Sequence, residues 1–289
     1  MMFDYAEFTT RNIGFVTQAE QEKLRGATVF VCGTGGMGGA CILGLVRAGI
    51  GKLIIADLDA FEVSNLNRQV FAFLDTIDRH KAEATAELAR KINPEIEIEV
   101  HHEDWTGVVD TLIEQSAVVV NGTDDLGATL LLYRRARTLG KAVIDAYASP
   151  LPSVYVTGPD AQPHEERLRY PTIGTEWDKI TDDQRSNAFL KESEWVVIHS
   201  SSREYVDLDI VGDVVSGKRS RMSFAPMVIS TGQLMCYEAI NAVLGRPHGT
   251  DNRGYFFNPH TARVERPKLA LIAAIMRPIV RRFLAGLMS

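Results

Sequence analysis

The chain divides into apolar blocks of two kinds. Short, β-branched runs at residues 27–32, 52–56, 96–100, 117–121 and 142–146 have the length and continuity of buried strands. Between them lie longer stretches that read as helices, at 37–48, 78–92, 106–114 and 126–139. A further helix begins at Thr17, where Thr17 and Glu20 make a capping-box pattern, and it stops near Gly26. Gly49 and Gly51 end the first long helix. Strands alternating with helices of this length predict an α/β fold built on a mostly parallel sheet flanked by helices.

After residue 149 the rhythm changes. Residues 151–157 predict one more strand, but 158–218 are polar and irregular and read as a long crossover loop. Pro226 opens an apolar helix that runs to Leu244 and is closed by Gly245. Residues 255–258 and 262–265 predict a hairpin around Pro259 and His260, and a last helix starts near Pro267 and runs to the end. The expected organisation is a nucleotide-binding half at 1–150 and a smaller mixed β/α lobe at 151–289, two parts that can share one sheet. The run from His199 to Arg203 reads as a solvated loop. In the terminal helix Arg277, Arg281 and Arg282 alternate with apolar residues and Pro278 predicts a kink. Such a basic amphipathic helix packs on its own domain or a dimer mate, docks a protein partner, or lies on an anionic membrane.

Composition narrows the field. The 289 residues are 45% hydrophobic and 24% charged, ordinary for a globular chain, and the formal charge of −6 gives no global attraction for polyanions. No apolar run reaches the length of a membrane span, and the acidic, aromatic N-terminus is unlike a signal peptide. Cys32, Cys41 and Cys236 are isolated in apolar sequence, which argues against a disulfide framework or a paired zinc site and predicts no zinc. A cytoplasmic protein is expected.

The candidate chemistry starts between the first strand and the first long helix, where Gly33, Gly35, Gly36 and Gly38 make a glycine-rich turn. Glycine there lets the backbone approach phosphates at a helix N-terminus, the arrangement of Rossmann-like nucleotide sites. Alone the turn suits a dinucleotide equally well, and Asp57, placed for a ribose, suits either. The cations decide. Arg68 and Lys81 are suited to a triphosphate and its departing pyrophosphate, whereas a dinucleotide needs no such pair. Asp124, at the carboxyl edge of the fourth strand, is placed to hold a magnesium ion.

Residues 29–38, 48–51, Asp57-Leu58-Asp59, 64–69, Lys81, Ile92-Asn93-Pro94 and Thr123-Asp124 together resemble the ThiF/MoeB/HesA adenylyltransferases, the superfamily that includes ubiquitin-activating enzymes. The resemblance is dense over 10–150 and returns at 224–245. It implies ATP and Mg2+ as cofactors, with Gly36 at the phosphates, Asp57 on the ribose, Asn65, Arg68 and Lys81 on the triphosphate, and Asp124 on the metal. Asp59 and Gln69 belong to the same set, although Asp59 also reads as a turn cap and Gln69 as a loop-ordering residue. Arg11 resembles an arginine that related homodimers supply to the neighbouring active site, and a homodimer is expected. Asp125 stands where the family often has Asn and reads as a turn residue or a nucleotide contact; Thr129 stands where relatives often carry Arg.

The activity implied is activation of a carboxylate as an acyl-adenylate, the substrate being a peptide or the C-terminus of a ubiquitin-like or sulfur-carrier protein. No cysteine lies between 149 and 235, so a thioester relay is not expected. Two alternatives stay open: an enzyme like the tRNA threonylcarbamoyl-adenosine dehydratases, for which the acidic balance is unfavourable though a tRNA partner is still possible, and a catalytically inactive nucleotide-binding scaffold.

Overall fold

The structure, a computed structural model, describes residues 2–287. The chain opens with α1 (Tyr5–Thr9), a 3-10 turn (Thr10–Asn12) and α2 (Gln18–Arg25). There follow β1 (Thr28–Cys32), α3 (Gly36–Ala48), β2 (Lys52–Ala56), α4 (Lys81–Arg90), β3 (Glu97–His101), α5 (Trp105–Glu114), β4 (Val118–Asn121), α6 (Leu126–Thr138) and β5 (Val143–Asp145). The second half contains β6 (Ser153–Thr157), α7 (His164–Leu168), α8 (Asp182–His199), α9 (Leu208–Val215), α10 (Ala225–Leu244), β7 (Tyr255–Asn258), β8 (Arg263–Glu265) and α11 (Ala270–Leu287). The expected last residues of the terminal helix, beyond 287, lie outside the described residues.

One sheet of order β3-β2-β1-β4-β5-β6-β7-β8 runs through the molecule. Its first five strands are parallel, and β6, β7 and β8 extend it in antiparallel fashion, with Ile144 opposite Val156 at the change of direction. The fold is therefore Rossmann-like and mostly parallel, continued by a mixed edge. Because side chains alternate across a strand, Val29 and Val31 enter one core layer with α3, α4 and α10, while Phe30 and Cys32 enter the other with α5 and α6. Both layers draw on residues from either side of position 150.

Helix α10 lies against α3 at a seam of small residues. A Cβ on Gly232 would collide with the Met37 carbonyl and the Ala40 side chain. Cys41 and Cys236 meet at this seam as free, buried thiols, and Cys32 is buried in β1. Contact with Cys236, followed by burial, pushes the Cys41 thiol up, and burial does the same to Cys32. The reading of all three as buried apolar residues agrees with this.

Two expectations need correction. Residues 158–218 are not an irregular loop: they hold α7, α8 and α9 with two short 3-10 turns, and α8 alone has 18 residues behind a Thr181 capping box. Nor is 199–203 a solvated loop. His199, Ser200 and Ser202 are buried, Ser201 donates to Glu265, and the Lys268 N–H donates to His199 Nδ1 at 3.0 Å. A smaller difference is the start of α4, which begins at Lys81 and not at 78, because Asp78 has φ +64° and lies outside helical space. The terminal helix packs against α8, through Ile198, Ala273, Val280 and Leu284, and Arg277 and Arg281 pair with Glu194.

Candidate functional site

The parallel strands β1, β2 and β4 end in register, with Cys32 opposite both Ala56 and Asn121. The three loops that follow therefore leave one edge of the sheet side by side. The chain runs from β1 outward to β2 and β3, then returns to β4 and continues the other way, so β1 and β4 flank the switch point where open α/β sheets bind ligands.

Glycine closes this edge tightly. Gly33 adopts φ +91°, and its N–H donates to Ala56 O at 2.7 Å while the Gly122 N–H donates to Cys32 O at 2.6 Å. A Cβ on Gly33 would strike the Gly122 backbone, and one on Gly38 would strike the Gly33 carbonyl. The loop is drawn down to the sheet, and α3 starts at Gly36 with no side-chain cap. Its first N–H groups are thus left to a ligand or to water.

Asp57 follows β2 and is fastened to that loop. Its Oδ2 accepts from the Thr34 N–H at 2.6 Å and from the Thr34 hydroxyl at 3.0 Å, and its Oδ1 accepts from the Asp59 N–H. Thr34, 1% exposed, is the residue that reading the sequence missed. Its only signal was a hydroxyl inside a glycine loop. Asp59 does more than cap a turn, since its carboxylate pairs with Lys81 Nζ at 2.8 Å and its carbonyl accepts the Lys81 N–H. Lys81 is only 8% exposed at the start of α4. Glycine loop, Asp57, Asp59 and Lys81 thereby form one connected unit.

The segment between β2 and α4 supplies the rest. Asn65 is buried and accepts the Glu62 N–H, so part of its role is to hold its own loop. Arg68 donates to the Ser64 carbonyl and to Asn67 Oδ1, and it makes no ion pair among the described residues. Gln69 is buried beside Gly35, and its Oε1 has no partner among the described residues. Val228, near the start of α10, sits where a Gly36 Cβ would go.

Beyond β4, Asp124 is exposed and Asp125 is the N-cap of α6, accepting the Ala128 N–H at 2.7 Å and pairing with Arg185 at 2.6 Å. Thr129 accepts from Asn121 Nδ2. No group of three or more His, Cys, Asp or Glu side chains among the described residues is arranged for a metal. Arg11 is not brought to this edge. Its turn is pinned to the opposite end of α3, with Asn12 Nδ2 donating to Ala48 O at 3.2 Å. The 13 residues of α3 separate that end from Gly36 by about 18 Å.

Behind the site lies a buried polar knot that the sequence did not announce. Asp145 accepts from Asn121, Tyr133, Tyr155 and the Ala146 N–H, and burial pushes its carboxyl up to about 7 against the pull of those donors.

A ThiF family model matches residues 9–273. The chain belongs to the ThiF family. Among curated ThiF-family relatives, the adenylyltransferase and sulfurtransferase MOCS3 of Culex quinquefasciatus is 33% identical over 132 residues, 45% of this chain and 30% of that protein. The sulfur carrier protein ThiS adenylyltransferase of Escherichia coli K12 is 30% identical over 129 residues, 44% of this chain and 51% of that protein. The matches thus span 30% and 51% of these two relatives' own lengths. The E. coli MccB structure solved with ATP has the same fold, with a TM-score of 0.61 at 17% identity over 86% of this chain and 65% of that one.

Proposed function

We propose that this ThiF-family chain is an ATP-dependent adenylyltransferase that activates a substrate carboxylate, the C-terminus of a peptide or of a ubiquitin-like or sulfur-carrier protein. The observation that carries the proposal is the connected unit of glycine loop, Thr34–Asp57 clasp and Asp59–Lys81 pair at the switch point of the sheet. That unit offers uncapped N–H groups and a cation for phosphates, with a carboxylate set for ribose hydroxyls. MccB being solved with ATP and the relatives being named adenylyltransferases agree with it.

In the proposed reaction a carboxylate oxygen attacks the α-phosphorus of ATP. A new P–O bond forms, the bond to the bridging oxygen breaks, and pyrophosphate departs with the electron pair. No general base is required, because a carboxylate is already ionised at neutral pH. Arg68 and Lys81 stabilise charge on the phosphates, and Asn65 and Gln69 hold the loop that presents Arg68. Gly33, Gly35, Gly36 and Gly38 admit the phosphates and Asp57 holds the ribose. Asp124, exposed at this edge, would hold Mg2+, and the metal would neutralise phosphate charge.

Arg11 would act across a homodimer. Its place at the far end of α3 keeps it from the site of its own chain, and exposed Phe15, Leu74 and Phe224 offer apolar surface for a second copy. A cytoplasmic setting agrees with three buried, unpaired cysteines.

Pyrophosphate exchange into ATP tests the activity. Exchange stimulated by a candidate peptide or carrier, and lost when its C-terminal carboxylate is amidated, is the expected result. Exchange that depends instead on tRNA would transfer the reaction to the dehydratase type, and silence with all candidates would leave a nucleotide-binding scaffold.

A further inference from the structure

A second polar crevice lies away from the glycine loop, where the end of α7 meets α8 and α11. Its walls include Arg167, Arg169, Lys191, Trp195, Arg277 and Arg281. Five of those six are cations on a chain whose formal charge is −6. Glu194 is the only carboxylate in the lining, and it is already shared by Arg277 and Arg281 at 2.9 and 2.7 Å. Arg167, Arg169 and Lys191 make no ion pair among the described residues. Glu192, near enough to Arg167 to feel its charge, accepts the Ala148 N–H at 2.7 Å.

The hydrogen-bond inventory points the same way. Nine buried side-chain nitrogen or oxygen atoms among the described residues have no partner, and four of the nine belong to this crevice: Arg167 Nε and Nη1, Trp195 Nε1 and Arg277 Nε. All four are donors. Arg277 Nε is close to Glu194 Oε1 but poorly aimed at it. Arg167 is held firmly, with its guanidinium 4.3 Å over the Trp195 ring and Nη2 donating to the Tyr147 hydroxyl at 2.9 Å. Buried donors without acceptors are costly, and a set of them among excess cations is complementary to an oxyanion. Guanidinium groups match the oxygens of carboxylates and phosphates in particular.

We infer that this crevice is a binding site for a carboxylate or phosphate group, separate from the nucleotide site. The shared chemistry is an oxyanion that accepts from Arg167, Trp195 and Arg277 while Arg169 and Lys191 supply charge at the mouth. It has two possible sources, the acidic side chains of a peptide or a free phosphate ion. The inference does not depend on the adenylylation proposal, since the site would bind with or without that activity.

Titration of the full chain with inorganic phosphate and, separately, with an end-capped triglutamate peptide tests it, read by calorimetry and tryptophan fluorescence. Saturable binding of at least one probe is expected, weakening with added salt. Tighter binding of triglutamate assigns the site to an acidic peptide, and tighter binding of phosphate assigns it to the small ion. Arg169→Glu with Lys191→Glu, both outside the nucleotide site, should weaken binding at least about tenfold while leaving ATP binding unchanged. Trp195→Phe keeps the ring that stacks on Arg167 but removes the donor, and should weaken binding about threefold or more. No saturation by either probe up to about 10 mM, or equal affinity in the charge-reversed variant, overturns the inference.

Discussion

Asp57 and Asp124 both follow strands at the same sheet edge, yet the structure treats them differently. Asp57 is spent on Thr34 and the Asp59 N–H, so it shapes the loop as well as facing it. Asp124 is exposed and has no hydrogen-bond partner among the described residues, which leaves its oxygens for a ligand. Asp124→Ala should therefore leave folding intact and lower pyrophosphate exchange at least about a hundredfold, with ATP affinity changing much less. Equal turnover in the variant would remove magnesium from its role. Asp145 carries a pH signature instead. Its folded pKa, near 7, lies above the ordinary carboxyl value of about 4, so the folded state binds the extra proton between those limits. Its contribution to stability is favourable below about pH 4 and is lost as pH rises toward 7. Asp145→Asn should accordingly gain on the wild type by up to about 1.4 kcal/mol per pH unit across that window, measured by urea denaturation at several pH values. A constant difference would mean that the carboxyl does not titrate there.

At the scale of elements, the parallel half was legible and the crossover was not. β1 and β2 are continuous apolar runs because both of their faces are covered, and the observed spans match the expected ones within a residue. Helix α8 has no comparable signal. Its buried positions include Glu194 and His199 beside Ala188, Val196 and Ile198, so no clean apolar stripe is written along it. Glu194 is tolerable there only because α11 brings Arg277 and Arg281 to it, a partner more than 80 residues away. The Thr181 and Gln184 capping box was a local mark of where α8 starts. Thr181→Ala removes the side-chain acceptor for the Gln184 N–H and should cost about 1 kcal/mol in chemical denaturation, without a change in the denaturant slope.

For the whole molecule, the position of Arg11 makes the proposed dimer testable without solving its structure. If each site borrows Arg11 from its neighbour, Arg11→Ala and Arg68→Ala chains are each inactive alone. A hybrid dimer then holds one intact site, formed by the Arg11→Ala chain with the other chain's Arg11. Mixing and re-equilibrating equal amounts should restore about a quarter of wild-type exchange activity, because half the dimers are hybrids with one working site of two. No recovery would place Arg11 outside the neighbouring site. The exposed Leu271, Ile275 and Ile279 on α11 are an apolar face separate from Ala273, Val280 and Leu284, which cluster with Ile198 of α8.

Amino-acid order alone determined the alternation of strands and helices through residue 146, the glycine turn, and the set of carboxylates and cations that marks the family. These are local properties: continuous apolar runs, glycine where backbone must approach backbone, and charge types at fixed intervals. Tertiary structure decided which of those residues actually meet. It clasped Asp57 to Thr34, joined Lys81 to Asp59, sent Arg11 to the far end of α3, and gathered unpartnered donors into a crevice between α7, α8 and α11. Pairings of that kind join groups far apart in the chain, and their strength depends on burial, which exists only once the layers have closed.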